Sequence, residues 1–218
     1  SDGSESLTER MRIDSSGRVG IGTSSPAANL HVHTDSNGEG VLIKSTGNTS
    51  NALTFDANRG TEGVIGVAYG RWNGTTVAQM SFISGSDGTN KDDGVITFGT
   101  ESAASSGNVN ATERMRIDSS GQVGIGVTPD TWSTGAGITV GTSQGTLWGA
   151  GDQINLSGNA YFNSGWKAAA SKAGASQIEQ ALGNIDFKVS GSVTADSAIT
   201  FTNAMRINSS GRVGIGTT

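Results

Sequence analysis

The sequence contains no cysteine, which removes a disulfide framework, thiolate metal ligands and thiol catalysis together. No apolar run approaches the roughly 18 residues that a membrane-crossing helix needs, and no signal-peptide pattern is present. There are two prolines and two histidines, and aromatic residues make up 6% of the chain. Leu, Ile, Val and Phe together contribute 42 of the 218 residues. That share borders on the range where chains stay disordered, but disorder also requires high net charge. The net charge here is only −5. A pI near 4.9 without a basic patch argues against nucleic acid as a partner.

What the chain has in excess is glycine, at 34 residues, together with β-branched residues in short alternating runs. These features predict ordered all-β structure with little or no helix and a thin core. Burial must offset a backbone entropy cost of about 1–2 kcal/mol per residue. A thin core does this poorly, so association with copies of the same chain is expected to supply the missing buried area.

One motif is written three times: ERMRIDSSGRVGIGT at 9–23, ERMRIDSSGQVGIGV at 113–127 and AMRINSSGRVGIGTT at 204–218. The copies divide the chain into a closing hairpin at 1–22 and two β-modules at 23–126 and 127–218, each ending in the same hairpin. Ser15-Ser16-Gly17 forms a three-residue loop in which Gly17 takes the left-handed position. Met11 then faces Ile21 and Ile13 faces Val19 on one apolar face, while Arg12 faces Gly20 on the other. The same register gives core candidates Met115, Ile117, Val123 and Ile125, then Met205, Ile207, Val213 and Ile215; a hairpin cannot cover this face itself, so it is expected to pack against copies of the chain, with Arg12 and Arg18 facing solvent. Gly121 and Gly211 repeat the turn. Gly20 and Gly22, Gly124 and Gly126, and Gly214 and Gly216 strip the strand that follows it. On that stripped face, either Arg12 lies over Gly20 or a neighbouring chain packs there. Asp14 and Arg18 form a cross-strand pair that becomes Asp118 with Gln122 and Asn208 with Arg212, so it reads as surface decoration.

Asn73-Gly74 marks a second, two-residue hairpin turn. Pairing outward from it sets Tyr69 opposite Ala78, Val67 opposite Met80 and Ile65 opposite Phe82 as one apolar face, with Trp72 on the other. Further strands are expected at Val41–Lys44, Ala52–Asp56, Val95–Phe98, Ile154–Leu156, Ala160–Asn163, Ile185–Val189 and Ile199–Thr202. Residues 166–182 are rich in Ala, Lys and Gln but lack a clean 3.6-residue period, so short strands are expected there too.

The string MRIDSSGRVGIGTSSPAANLHV, with GRWNGTTVAQMSF and NKDDGVITFGT downstream, resembles the repeats of bacteriophage tail fibre and tailspike shaft proteins. The resemblance implies a parallel homotrimer of β-hairpin modules along an elongated fibre. It implies a virion protein, extracellular after host lysis, whose partners are its own copies, other tail proteins and a host surface receptor. Its role would be structural, projecting or carrying receptor-binding activity. The alternatives are a glycan-binding receptor module and a glycan-cleaving tailspike. Members of this kind often continue into a self-cleaving endosialidase-type chaperone domain, which these residues do not include. The chain begins at Ser1 in mid-pattern, as an excised or processed piece would.

Candidate site residues are few. His31 and His33 lie two apart on one strand, and three such pairs in a trimer would offer six imidazoles to a transition metal. Leu30 and Val32, alternating with them, are the better core candidates and turn the histidines outward. Asp87, Asn90, Asp92 and Asp93 make an oxygen-rich loop whose spacing does not match an EF-hand, so a solvated hairpin loop is expected. Among Trp72, Trp132, Trp148, Trp166, Tyr69 and Tyr161, Trp72 is the candidate glycan contact and the rest are core or interface. No histidine is placed for a catalytic triad. No motif selects a carboxylate pair from Asp56, Glu62, Asp92 and Glu101. The GIG strings lack a third glycine for a dinucleotide site. No enzyme activity and no cofactor are expected.

Overall fold

A computed structural model describes residues 9–35, 40–48, 50–103, 110–141 and 145–216. β-branched runs broken by glycine turns form strands throughout, and no helix occurs among the described residues, in line with the sequence expectation. Residues 1–54 and 55–218 form two compact units.

In the first unit, β1 (Met11–Ile13), β2 (Val19–Ile21) and β3 (Leu30–Val32) form a three-stranded sheet in that order. Met11 pairs with Ile21, Arg12 with Gly20 and Ile13 with Val19, the register expected from the motif. Gly17 takes φ +77°, and its N–H donates to the Asp14 carbonyl at 3.0 Å. β3 returns parallel to β2, with Val19 beside Leu30 and Ile21 beside Val32.

The second unit opens with β4 (Gly63–Trp72), β5 (Thr75–Ser84), β6 (Gly94–Thr100), β7 (Thr112–Ile117) and β8 (Val123–Ile125). It continues with β9 (Ala136–Val140), β10 (Gly145–Ala150), β11 (Gln153–Gly158), β12 (Ala160–Phe162) and β13 (Trp166–Ala168). Last come β14 (Ser176–Ala181), β15 (Asn184–Val189), β16 (Thr202–Ile207) and β17 (Val213–Ile215). Twelve of these form one sheet, ordered β17-β16-β15-β14-β11-β10-β9-β8-β7-β6-β5-β4, while β12 and β13 pair separately. Every neighbouring pair is antiparallel except β8 and β9, which repeat the parallel step of β2 and β3. The sheet therefore runs unbroken from the 23–126 module into the 127–218 module.

Three expectations need correction. At Gly20 and Gly124 the chain's own crossover loop, rather than an overlying arginine, covers the stripped glycine face. A Cβ on Gly20 would lie 2.5 Å from the Thr23 carbonyl oxygen, and one on Gly124 would lie 2.1 Å from that of Val127 and 2.8 Å from Pro129 Cδ. Arg12 instead donates to the Ser24 carbonyl at 2.8 Å and pairs with Glu9 at 2.6 Å.

The Asn73-Gly74 hairpin forms, with both residues at positive φ (49° and 85°), but its register slips by one after two pairs. Val77 is an extra residue in β5, and Ile65 is the compensating one in β4. Ala78, Met80 and Phe82 consequently share a face with Gly70, Ala68 and Gly66, while Tyr69 and Val67 turn to the other face beside Gln79 and Ser81. Phe55 fills the space over Gly66 and stacks on Phe82 at 5.5 Å between centroids.

The segments 41–44 and 52–56 are not strands, since no described strand offers their backbone a ladder. Residues 199–201 are irregular as well. The Ile199 N–H donates to the Trp166 carbonyl at 2.9 Å, and Ala198 makes a lone bridge to Lys167, so their bonds go to the β13 region. The strands expected within Val95–Phe98, Ile154–Leu156, Ala160–Asn163 and Ile185–Val189 do form, as does strand rather than helix in 166–182.

None of the twelve hairpin residues expected to pack against copies of the chain is buried within the chain itself: Met11 is 61% exposed, Ile13 67% and Ile215 76%. The chain's own core is aromatic, built from Trp132, Trp148 and Tyr161, with Phe162 and Trp166 packed against it.

Candidate interaction surface

Side chains alternate across a strand, so the register of the large sheet sorts its residues into two faces. On one face, cross-strand partners form a single apolar row. It passes from Phe82 through Ile96, Ile117, Val123, Ile138 and Leu147. It continues through Leu156, Ile178, Phe187, Met205 and Ile215. Eleven consecutive strands each contribute one large apolar side chain. The second and third hairpin motifs are part of this row, supplying Ile117 and Val123, then Met205 and Ile215.

The opposite face carries a small and polar row: Ser81, Thr97, Arg116, Gly124 and Thr139, then Thr146, Ser157, Gln177 and Lys188. Burial is the reverse of what water would impose on a finished surface. Thr139 and Asn155 are fully buried on the polar side, whereas Leu156 on the apolar side is 56% exposed. The polar side is covered partly by the aromatic layer. Trp148 stacks on Phe162 at 4.7 Å and on Trp132 at 6.0 Å, and its Nε1 donates to the Thr134 carbonyl at 2.8 Å. Tyr161 donates to Asp196 Oδ1 at 2.7 Å. Burial first, and then that carboxylate, push the Tyr161 hydroxyl pKa up to about 12.

Charge on the polar face is paired. Arg206 donates to both Asp186 oxygens at 2.6 and 2.7 Å, which holds the Asp186 carboxyl below its usual range. Lys188 pairs with Glu179 beside it. Among the described residues no comparable ion pair lies on the apolar face, whose central row fits another apolar surface.

The remaining sequence candidates do not converge on a second site. Trp72 is 74% exposed at the tip of the β4–β5 hairpin. Near it, the Arg71 guanidinium lies 4.7 Å over the Tyr69 ring, and the Tyr69 hydroxyl bonds Asn110. Trp132, Trp148 and Tyr161 are core. His31 lies beside Gly20, and its Nδ1 accepts the Ala27 N–H at 3.3 Å, while His33 faces Asp35 at 3.2 Å. No group of three or more His, Asp or Glu side chains among the described residues is placed to hold a metal.

In the oxygen-rich loop, Asp87 Oδ1 accepts the Thr89 and Asn90 N–H groups at 2.8 and 3.1 Å, and the Asp93 carboxylate accepts the Asp87 N–H. The loop's acceptors thus serve its own backbone. Of the carboxylates considered for glycan cleavage, Asp56 and Glu62 line one cavity, of about 510 Å³, beside Phe55, Arg59 and Lys91. Glu101 instead accepts the Thr112 N–H at 2.8 Å.

Sequence reasoning found the apolar alternation but not the row, which depends on register across eleven strands. It also missed the acceptor common to all three motifs. Asp14, Asp118 and Asn208 Oδ1 each accept two backbone N–H groups of the loop, at 2.8–3.0 Å. The substitution of Asn for Asp in the third copy was the available signal. No protein-family model matches this chain, and no curated protein matches it.

Proposed function

We propose that this chain is a structural segment of a phage tail fibre, assembled as a parallel homotrimer that projects or carries receptor-binding activity during attachment of the virion. The observation that carries this reading is the apolar row of eleven residues, none buried by its own chain and six of them exposed, although Phe82 at its end stacks on Phe55. A soluble chain of 22.0 kDa exposes roughly 9,300 Å² when it folds as a compact monomer. This one exposes 14504 Å². The first unit adds surface of its own to that total, so the uncovered apolar row, not the total, is what calls for partners.

Three such sheets with their apolar faces turned inward cover all three rows at once and leave no apolar face over. The thrice-repeated MRIDSSGRVGIGT-type motif supports the same reading through its resemblance to tail fibre shafts. The proposed partners are two further copies, neighbouring tail proteins and a host surface receptor, in a virion outside the cell. The role is mechanical and needs no catalytic group. Its test is electrophoresis in detergent with and without boiling: a fibre segment migrates as a trimer until boiled, and a monomer band in both lanes contradicts the proposal.

The exposure of Trp72 favours a second reading, in which the segment itself contacts host glycans. Binding on a glycan array, lost in Trp72→Ala with the trimer intact, supports it. Unchanged binding in that variant contradicts it.

A further inference from the structure

The two flanks of the apolar face differ in a way that specifies how neighbouring copies meet. On the longer strands the residue of the central row has, two positions to either side, a residue on each flank. On β6 these are Phe98 on the first flank and Gly94 on the second; on β5 they are Met80 and Ser84. β9 repeats the arrangement with Val140 and Ala136. Beyond β10, which has Gly145 and Gly149, the sides exchange: β11 has Gly158 on the first flank and Ile154 on the second. Bulk on one flank is thus matched by a gap on the other flank of the same strand, on β5, β6, β9 and β11. β15 is bulky on both, with Val189 and Ile185. Phe98 and Ile154 are 39% and 43% exposed, so these knobs stand free in the single chain.

A closed cyclic assembly has no translation along its axis, so each strand meets the same strand of the next copy at the same height. The central row crosses the strands, and in the fibre proposed above it runs along that axis. In a parallel ring the first flank of one copy lies against the second flank of the next.

We infer that the interface is built from unlike flanks: Phe98 of one copy fills the gap at Gly94 of its neighbour, and the neighbour's Ile154 fills the gap at Gly158. The occupant of each hollow is a second copy of this chain. The inference rests on the trimer proposed above and adds the pairing to it. The uncovered apolar row gives the apolar area, and the size match between flanks gives the required fit.

The absence of cysteine allows a clean test. In Phe98→Cys with Gly94→Cys, the two thiols lie four residues apart on one strand, about 13 Å. That exceeds the roughly 7 Å Cα limit for a disulfide, so no bond can form within a chain. Oxidation is expected to close a covalent ring of three, about 66 kDa on a non-reducing gel, three times 22.0 kDa. Ile154→Cys with Gly158→Cys is expected to do the same. A ring of two in both variants replaces three-fold by two-fold closure and overturns the trimer. Cross-linking at only one pair or at neither, in variants that light scattering shows to be trimeric, overturns the flank pairing and leaves the trimer standing. If the unsubstituted chain is itself monomeric, the underlying reading fails.

Discussion

The turn of the repeated hairpin is held by one side-chain oxygen. Asp118 Oδ1 accepts the Ser120 and Gln122 N–H groups, both at 2.9 Å, so Asp118→Ala leaves two turn donors without a partner. A cost of about 1 kcal/mol is expected, while Asp118→Asn, which keeps the oxygen, is expected to be near neutral; chemical denaturation of both variants checks this. The sequence showed the pair of residues here but not which atom mattered, because the Arg18–Asp14 ion pair at 2.8 Å belongs to the first copy alone. Gly124 tolerates no side chain for a different reason. A Cβ would meet the Val127 carbonyl and Pro129, so Gly124→Ala is expected to cost about 1–3 kcal/mol through overpacking. Tyr161 gives the chain an alkaline limit. Its folded pKa of about 12 exceeds the ordinary 10.0, so its contribution is complete below pH 10 and is lost as pH rises through 12. The thermal midpoints of the native chain and Tyr161→Phe are therefore expected to converge over that interval.

At the scale of the element, strands were legible wherever alternation was locally matched by a partner. They were illegible where the partner was missing or the register slipped. Residues 41–44 and 52–56 alternate like strands, yet nothing among the described strands pairs with them. The β4–β5 hairpin was visible from Asn73-Gly74, but the bulge at Val77 leaves no mark in composition, and it moved Tyr69 and Val67 to the other face. The aromatic layer was invisible for a related reason. Trp132, Trp148, Phe162 and Trp166 come from separate connections and strands, and they meet where the β12–β13 hairpin, which pairs Phe162 with Trp166, packs against Trp148 of β10. Trp148→Ala removes the centre of that stack and is expected to cost about 3–5 kcal/mol, read from the denaturation midpoint. On the same face, the Asp186–Arg206 pair sets an acid limit. The carboxylate form of Asp186 is favoured in the folded chain, so its contribution is present above the ordinary 3.8 and is lost as pH falls below it. Asp186→Asn is expected to flatten the acid limb of the stability profile.

At the scale of the molecule, the thin core read from composition is a real property of the chain and has a location. Large apolar residues are not scarce but misplaced for a monomer, lined up on a face that the chain leaves uncovered. The hairpin motif showed this in miniature, since four apolar residues on a two-stranded hairpin cannot cover themselves. The register of the large sheet extends the same condition over eleven strands. Assembly with other copies, as proposed above, would remove it, and the mass of the particle in solution is the most direct test. Multi-angle light scattering on the purified chain is expected to give about 66 kDa, three times 22.0 kDa, at every concentration measured. A mass of about 22 kDa, with the apolar row still open to solvent, would contradict the account.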